Sequence, residues 1–222
     1  SAGHVWRRAA GAHGSLEMHL VDHWGAAQSS SSTLGTGSDM GGSSNASLFQ
    51  AVVRRFSRTA RCVQVPYWLP GAARDVLDRG GGDIYFHRTV SVGAASLFED
   101  KSLDVVYIDA DHKWWSVVQD LAAWWPKVRP GGVMLGHDFH LNTLMEREGA
   151  PGGDSNDVPI AVFAFFRKPY EIVLHSGFVW SVEKPADLAD NSIDLGNLCD
   201  FLRHRMAPHW DFEVCHQSRE LD

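Results

Sequence analysis

Short apolar segments alternate along this chain with longer segments in which apolar residues recur every three or four positions. The clearest pair is the Val- and Ile-rich segment 103–108, followed by residues 113–125 with helical spacing. A short apolar run of this composition is typical of a strand buried on both faces, and the second spacing is typical of a helix. Strands that alternate with helices predict a parallel sheet with helices on both of its faces.

The same pattern predicts further elements on either side of this pair. We expect strands at 16–21, 62–68, 84–87, 133–135, 171–175 and 178–183, the last two as an antiparallel edge pair. We expect helices at 2–12, 48–60, 70–79, 92–98 and 158–167. Residues 25–46 are rich in Gly and Ser and predict a flexible loop. The chain is thus expected to form an α/β domain over 1–184 and a polar C-terminal extension over 185–222 with one helix at 195–206.

The composition and net charge of the chain argue against some classes of function. A chain of 222 residues can bury a substantial core as one domain. Its net charge of -7 argues against a nucleic-acid backbone as the main partner. The sequence has no run of about 18 apolar residues, so no membrane span is expected. Its three cysteines are odd in number and well separated, which predicts free thiols and a reducing, cytoplasmic location.

Acids and histidines follow two of the apolar segments at the point where each predicted strand ends. They are Asp109, Asp111 and His112 after the first strand, and His137, Asp138 and His140 after the second. In open α/β sheets, ligands bind outside the carboxyl ends of the strands. We therefore expect a binding site at this edge of the sheet.

The stretch Leu103 to His140, LDVVYIDADHKWWSVVQDLAAWWPKVRPGGVMLGHDFH, resembles class I S-adenosylmethionine-dependent methyltransferases around their fourth and fifth strands. The resemblance is to the group whose pattern reads vyIDadH…Dl..W.pkvrpGG.l.GHD. It is good over 84–140 and looser over 1–24 and 158–184. It implies a Rossmann-like, doubly wound, mostly parallel sheet with an antiparallel edge strand. It also implies methyl transfer from S-adenosylmethionine.

One feature of that family has no counterpart in this sequence. The family places its first strand and a Gly-rich cofactor turn before a helix like the one expected at 2–12, and the sequence begins at that helix. The sequence could be a fragment, the gap could be filled by residues 61–68 or by another chain, or the protein could be inactive. We favour the fragment.

The resemblance implies a set of cofactor-binding residues. Asp22 ends a predicted strand where the family holds an acid that accepts both ribose hydroxyls, although a loop aspartate could instead cap the next turn. Ser91 and Val92 match the segment that borders the adenine ring, and Ser91 could equally be a helix N-cap. Trp24 could line the cofactor or substrate site. One interpretation of Asp109 is that it contacts the cofactor.

The resemblance also implies a metal and a general base. Related O-methyltransferases bind a divalent ion with acids at the positions of Asp109 and Asp138, although the first could also cap a helix and the second could be structural. Magnesium suits oxygen ligands, and nearby histidines would also tolerate manganese, iron or zinc. His112 is the first candidate for general base, followed by His137 and His140, because an imidazole accepts a proton at neutral pH. Each histidine taken alone could instead be structural.

The sequence therefore predicts an S-adenosylmethionine-dependent methyltransferase that acts on an oxygen of a small molecule, with a divalent metal as a further cofactor. The loop over 25–46 could order over the substrate as a lid. A noncatalytic binding or scaffold protein with a degenerate methyltransferase fold is the first alternative, and an NAD-dependent enzyme on the same sheet is another. We expect a small-molecule substrate and neither nucleic acid nor membrane as partners. A homo-oligomer is compatible with the sequence, which does not fix the oligomeric state.

Overall fold

The structure is a computed structural model, and it describes residues 4–9, 16–22, 42–65, 70–79, 81–140, 156–167 and 169–186. These residues form two compact units, one within Gly3–Leu97 and one that begins at Phe98. In each unit strands alternate with helices, which confirms the α/β, Rossmann-like class. None of the helices described is both long enough and apolar enough to cross a membrane. The helix predicted at 195–206 lies outside the described residues.

The first unit is a sheet with helices between its strands. Its described strands are β1 (His4–Ala9), β2 (Leu16–Asp22), β3 (Cys62–Val65) and β4 (Ile84–Arg88). Its helices are α1 (Gly42–Phe56), α2 (Pro70–Arg79) and α3 (Ser91–Ala95). Strand β4 lies between β2 and β3 and is parallel to both, and β1 pairs antiparallel with β2.

Two predictions about the start of the chain are wrong. Residues 4–9 form strand β1, not part of a helix over 2–12, and all 6 of them pair with β2. This pairing satisfies backbone groups of β2, and such an interaction between strands can override local helix propensity. Strand β3 pairs with β4, so the proposal that residues 61–68 fill a gap beside β2 is also wrong. Helix α1 begins at Gly42 and includes the last residues of the loop predicted over 25–46.

Different helices contact the two faces of the sheet in the first unit. Phe49 of α1 packs with Ile84 and Phe86, whereas Ala73 of α2 packs with Tyr85. This division follows from β4, because consecutive residues of a strand point to opposite faces. His87 therefore lies on the same face of β4 as Tyr85.

The second unit has the same alternation, with an antiparallel edge. Its described strands are β5 (Leu103–Ile108), β6 (Val128–Gly136), β7 (Val173–His175) and β8 (Val179–Glu183). Its helices are α4 (Trp114–Trp124) and α5 (Val158–Phe165). Helix α4 connects the parallel pair β5 and β6, whereas β8 pairs antiparallel with β6 and β7 with β8. The predicted antiparallel edge is thus confirmed.

Candidate functional site

The carboxyl ends of β5 and β6 deliver acids and histidines to one place. The two strands stay in parallel register up to Ile108 opposite Gly136, and the backbone N–H of His137 donates to the Ile108 oxygen at 3.2 Å. A Cβ atom on Gly136 would lie 2.5 Å from that same oxygen, so this approach requires glycine. As a result Asp109 and Asp138, which follow the ends of neighbouring strands, lie close together.

Three of these side chains form a group that could hold a metal ion. Asp109, His137 and Asp138 each offer one ligand atom, and these atoms all lie within 4.8 Å of one another. All three residues are half-buried. The convergence of Asp109 and Asp138 that the sequence predicted is therefore present, and His137 adds a nitrogen donor.

The Asp138 carboxylate is also the meeting point of three imidazoles. His112 Nε2 lies 2.9 Å from Oδ2, and His137 Nδ1 lies 3.2 Å from the same oxygen. His140 Nε2 lies 3.4 Å from Oδ1. Asp138 itself has a φ of 60°, a left-handed conformation that is uncommon outside glycine and that aspartate adopts more readily than most other residues. Residues in sparsely populated backbone conformations are concentrated at functional sites.

The surroundings move the pKa values of the two acids in opposite directions. Burial raises the pKa of Asp109, and the negative charge of Asp138 raises it further. Burial also acts to raise the pKa of Asp138, but the hydrogen bond from His137 and the charges of His112 and His137 outweigh it and hold that pKa below its usual value. Burial, followed by the charges of both acids, raises the pKa of the Tyr107 hydroxyl. Two neighbouring carboxyl groups whose pKa values are driven apart are typical of functional sites.

Asp111, the third acid at this edge, has a local role. Its carboxylate accepts hydrogen bonds from the Lys113 backbone N–H at 3.4 Å and from Ser116 Oγ at 2.8 Å. It thereby stabilises the turn that leads into α4. Asp111 is not a member of the candidate ligand group, which consists of Asp109, His137 and Asp138.

Two residues before α5, which the sequence analysis did not single out, contact both turns of the site. The Asn156 side-chain amide donates to the Asp138 backbone oxygen at 2.6 Å. The fully buried Asp157 accepts at 3.2 Å from the Trp114 backbone N–H, the first residue of α4. The run Asn-Asp-Val-Pro is a recognisable helix start, because Asn and Asp are preferred before a helix and Pro in its first turn. That signal could have located a cap for α5, but not the contact with α4.

Phe178 also borders the site without having been predicted there. Its ring stacks on the His140 ring with centroids 4.0 Å apart, and its backbone oxygen accepts from the Phe139 N–H at 2.9 Å. It has a φ of 61° and is 54% exposed. The turn between β7 and β8 thus presents an aromatic ring beside the histidine that contacts Asp138.

Of the residues predicted to bind the cofactor, Asp22, Ser91 and Val92 lie in the first unit and Asp109 lies in the second. Asp22 is the last residue of β2 and is buried. Ser91 is the first residue of α3 and Val90 is its N-cap, so the alternative role of Ser91 as N-cap is wrong. Val92 is 46% exposed. Trp24 lies outside the described residues, and cofactor binding by all of these residues stays a prediction.

A second histidine group lies in the interior of the first unit. His19 Nδ1 and His87 Nε2 are 2.9 Å apart, and His19 Nε2 lies 2.8 Å from Glu17 Oε1. The His19 ring stacks on Tyr85 with a centroid distance of 4.9 Å. Burial, with a smaller contribution from His19, lowers the pKa of His87 to about 3. These residues form a buried polar network, which the sequence analysis did not predict.

Comparison with known proteins places the chain in a family. A family profile described as a methyltransferase domain matches residues 3–139. The chain belongs to this methyltransferase-domain family. No curated protein matches it.

Two solved structures have low similarity to the chain. One is a protein from Corynebacterium glutamicum, with 13% identity and a TM-score of 0.43 over 67% of this chain and 59% of that protein. The other is described as a possible exported protein from Bordetella parapertussis, with 12% identity and a TM-score of 0.30 over 74% of this chain and 78% of that protein. The chain thus spans about three fifths of the length of the first of them.

Proposed function

We propose that this protein transfers a methyl group from S-adenosylmethionine to an oxygen atom of a small molecule, with help from a divalent metal ion. The observation that carries the proposal is the convergence of Asp109, His137 and Asp138 at the ends of two parallel strands. Membership of a methyltransferase-domain family supports the reaction class. The net charge of -7 favours a small-molecule acceptor over a nucleic acid. The half-buried free thiol of Cys62 is compatible with the proposed cytoplasmic location.

The side chains at this edge fit a divalent ion. Asp109 and Asp138 offer carboxylate oxygens and His137 offers an imidazole nitrogen, a mixed set that suits manganese, iron or zinc as well as magnesium. When bound, such an ion would make a substrate hydroxyl more acidic. Burial, followed by the negative charge of Asp138, raises the pKa of Asp109, and a bound cation would lower it again.

The chain's own contribution to the chemistry is proton removal and alignment. A carboxylate only accepts hydrogen bonds, so His112 Nε2 carries the proton that it shares with Asp138. This leaves His112 Nδ1 as the basic nitrogen, and the imidazole is 44% exposed and so accessible to an acceptor hydroxyl. His137 is the second candidate base only if the two acids hold the ion without it, because an imidazole bound to a cation has no nitrogen left to accept a proton. S-adenosylmethionine supplies the methyl group, and the rest of the rate enhancement is alignment of donor and acceptor.

Calorimetric titration with S-adenosylhomocysteine tests this proposal. We expect micromolar binding by the wild-type protein, and a change in affinity when manganese or magnesium is added. The matched variant Asp109→Asn keeps the side-chain size and removes the charge, so it should lose the metal dependence. Failure of folded protein to bind the cofactor product would contradict the enzyme interpretation and favour a noncatalytic binding or scaffold protein.

A further inference from the structure

We infer that Asn156 and Asp157 are positioning residues that hold His112 and Asp138 in contact. The two residues are adjacent in the chain and contact both turns of the site at once. Their effect on catalysis rests on the proposed function, whereas their effect on the geometry of the two side chains does not. The inference comes from hydrogen bonds that join three separate segments of the second unit.

Asp157 fixes the turn that carries His112. Its backbone N–H donates to the His112 oxygen at 2.9 Å, and its carboxylate accepts from the Trp114 N–H at 3.2 Å. The residue is completely buried. Although Asp157 is the N-cap residue of α5, its side chain makes no capping bond to that helix and bonds to the start of α4 instead. One residue thus attaches α5 to the two residues that flank Lys113.

Asn156 fixes the turn that carries Asp138. Its amide nitrogen donates to the Asp138 backbone oxygen at 2.6 Å, and its Oδ1 accepts from the Val158 N–H at 3.0 Å. Asp138 has the left-handed φ of 60°, a conformation that is uncommon for residues with a side chain and that contacts with its backbone can stabilise. The bond from Asn156 is one such restraint, and it acts on the residue whose carboxylate meets the three imidazoles.

The two restraints act together on one contact. His112 and Asp138 come from the ends of different strands, and their side chains are 44% and 18% exposed. Partly exposed side chains retain rotamer freedom, so a 2.9 Å contact between them depends on the backbone that carries each of them. Adjacent residues that bond to both backbones set the distance between the two turns.

The variant Asn156→Asp separates positioning from ordinary helix stabilisation. It keeps Oδ1 for the Val158 N–H and loses the amide donor to Asp138. A negative charge at the start of α5 is favourable for the helix, so a purely structural role predicts an unchanged or higher melting temperature and an unchanged site. We expect a disturbed site and a slightly lower melting temperature instead, because two oxygen acceptors then face each other where Asn156 donated to the Asp138 backbone oxygen.

The readout for geometry is the Nε2–H proton of His112 in a nuclear magnetic resonance spectrum at fixed pH, assigned by its loss in His112→Asn. In the wild type we expect a downfield proton protected from exchange by Asp138. We expect Asn156→Asp to lose this signal. An unchanged signal in that variant would overturn the inference, whatever the activity of the protein.

Affinity for Mn²⁺ alone, measured by electron paramagnetic resonance, gives a second readout. Residues behind the ligands of a metal site are commonly worth about 10- to 100-fold in affinity, so we expect a loss of at least about tenfold in Asn156→Asp. If the wild-type protein does not bind Mn²⁺, the metal part of the proposed function fails, and the proton signal of His112 still decides the inference.

Asp157 offers a conservative rescue. Asp157→Asn keeps an oxygen acceptor for the Trp114 N–H and should retain the His112 signal, because the inference requires the bond and not the charge. Asp157→Ala removes the acceptor and should lose the signal, with the measurement made well below its own melting temperature. Loss of the signal in both variants, or retention in both, would contradict the assignment for Asp157.

Discussion

Two groups of histidines in this protein show how the same side chain acquires different roles from its surroundings. In the first unit, His19 and His87 are each 1% exposed and bond to each other at 2.9 Å. In the second unit, three partly exposed histidines surround the carboxylate of Asp138. Burial keeps His87 neutral, with a pKa lowered to about 3. A carboxylate neighbour and access to solvent instead allow an imidazole to exchange protons with a ligand.

The largest expected effect is a loss of folding stability at acid pH, which the buried side chain of His87 causes. Because the pKa of His87 is about 3 in the folded protein and about 6.5 when unfolded, the unfolded chain binds the proton first as the pH falls. The stabilisation is therefore complete above pH about 6.5 and decreases down to pH about 3, by about 1.4 kcal/mol per pH unit. Urea denaturation of the wild type should show a loss of about 3 kcal/mol between pH 6.5 and pH 4 that His87→Gln does not show.

Other groups also titrate in this range, so the difference between wild type and variant is the quantity to compare. His175→Gln is the control, because His175 is exposed and bonds only near the surface to Ser181 Oγ among the contacts described. Equal pH slopes for wild type and His87→Gln would show that burial does not hold His87 neutral. The contrast between the two histidine groups would then be lost.

The next effect concerns the carboxylate that distinguishes the second group. Asp138→Asn keeps the size of the side chain but removes the charge that three imidazoles surround and that would bind the proposed cation. We expect Mn²⁺ affinity to fall by about 10- to 100-fold or more, since that is the range for residues that only support a ligand. Thermal denaturation should change little. Asp111→Asn is the control, because Asp111 contacts only its own turn among the described bonds and should leave the affinity unchanged.

A smaller effect concerns how much a histidine of each group contributes to the free energy of unfolding. His19→Asn shortens a side chain that bonds to His87 and Glu17, so buried polar groups lose a partner, at a cost of about 1–3 kcal/mol. His112→Asn changes a half-exposed side chain and should stay within about 0.5 kcal/mol. Urea denaturation at pH 7 measures both. Similar losses in the two variants would mean that His112 belongs to the folded core as much as His19 does.

The smallest effect is expected within the group around Asp138. His140 has the longest of the three contacts, at 3.4 Å, and its ring also stacks on Phe178. His140→Asn should therefore change Mn²⁺ affinity by less than about threefold, because a contact of that length is a weak hydrogen bond. His137→Asn should cause a larger loss, since His137 belongs to the candidate ligand group. The reverse order would contradict the proposed ligand group and favour a site nearer His140.

Much of the second unit could be predicted from local sequence. The apolar segment 103–108 and the helical spacing after it gave β5 and α4, and both are confirmed. Because parallel strands end at one edge of a sheet, the acids that follow β5 and β6 could be expected to converge. The distances around Asp109 and Asp138 agree with that expectation.

Two features of the first unit, strand β1 and the contact between His19 and His87, were harder to predict. Residues 4–9 have helical composition, yet they pair as a strand with β2, because that pairing satisfies backbone groups of both strands. The contact between His19 and His87 joins residues 68 positions apart, and it depends on the register of β2 and β4. Neither periodicity nor motif spacing contains such information.

By itself, the sequence determined the class of the fold, most of its strands and helices, and the acids and histidines at one edge of the second unit. These follow from the period of the apolar residues and from the residues at which the strands end, which are local properties of the chain. The tertiary structure decided which histidines share a carboxylate, which are buried together, and that Asn156 and Asp157 connect the two turns of the site. Those contacts join segments far apart in sequence, so they exist only once strand register and helix packing have brought the segments together.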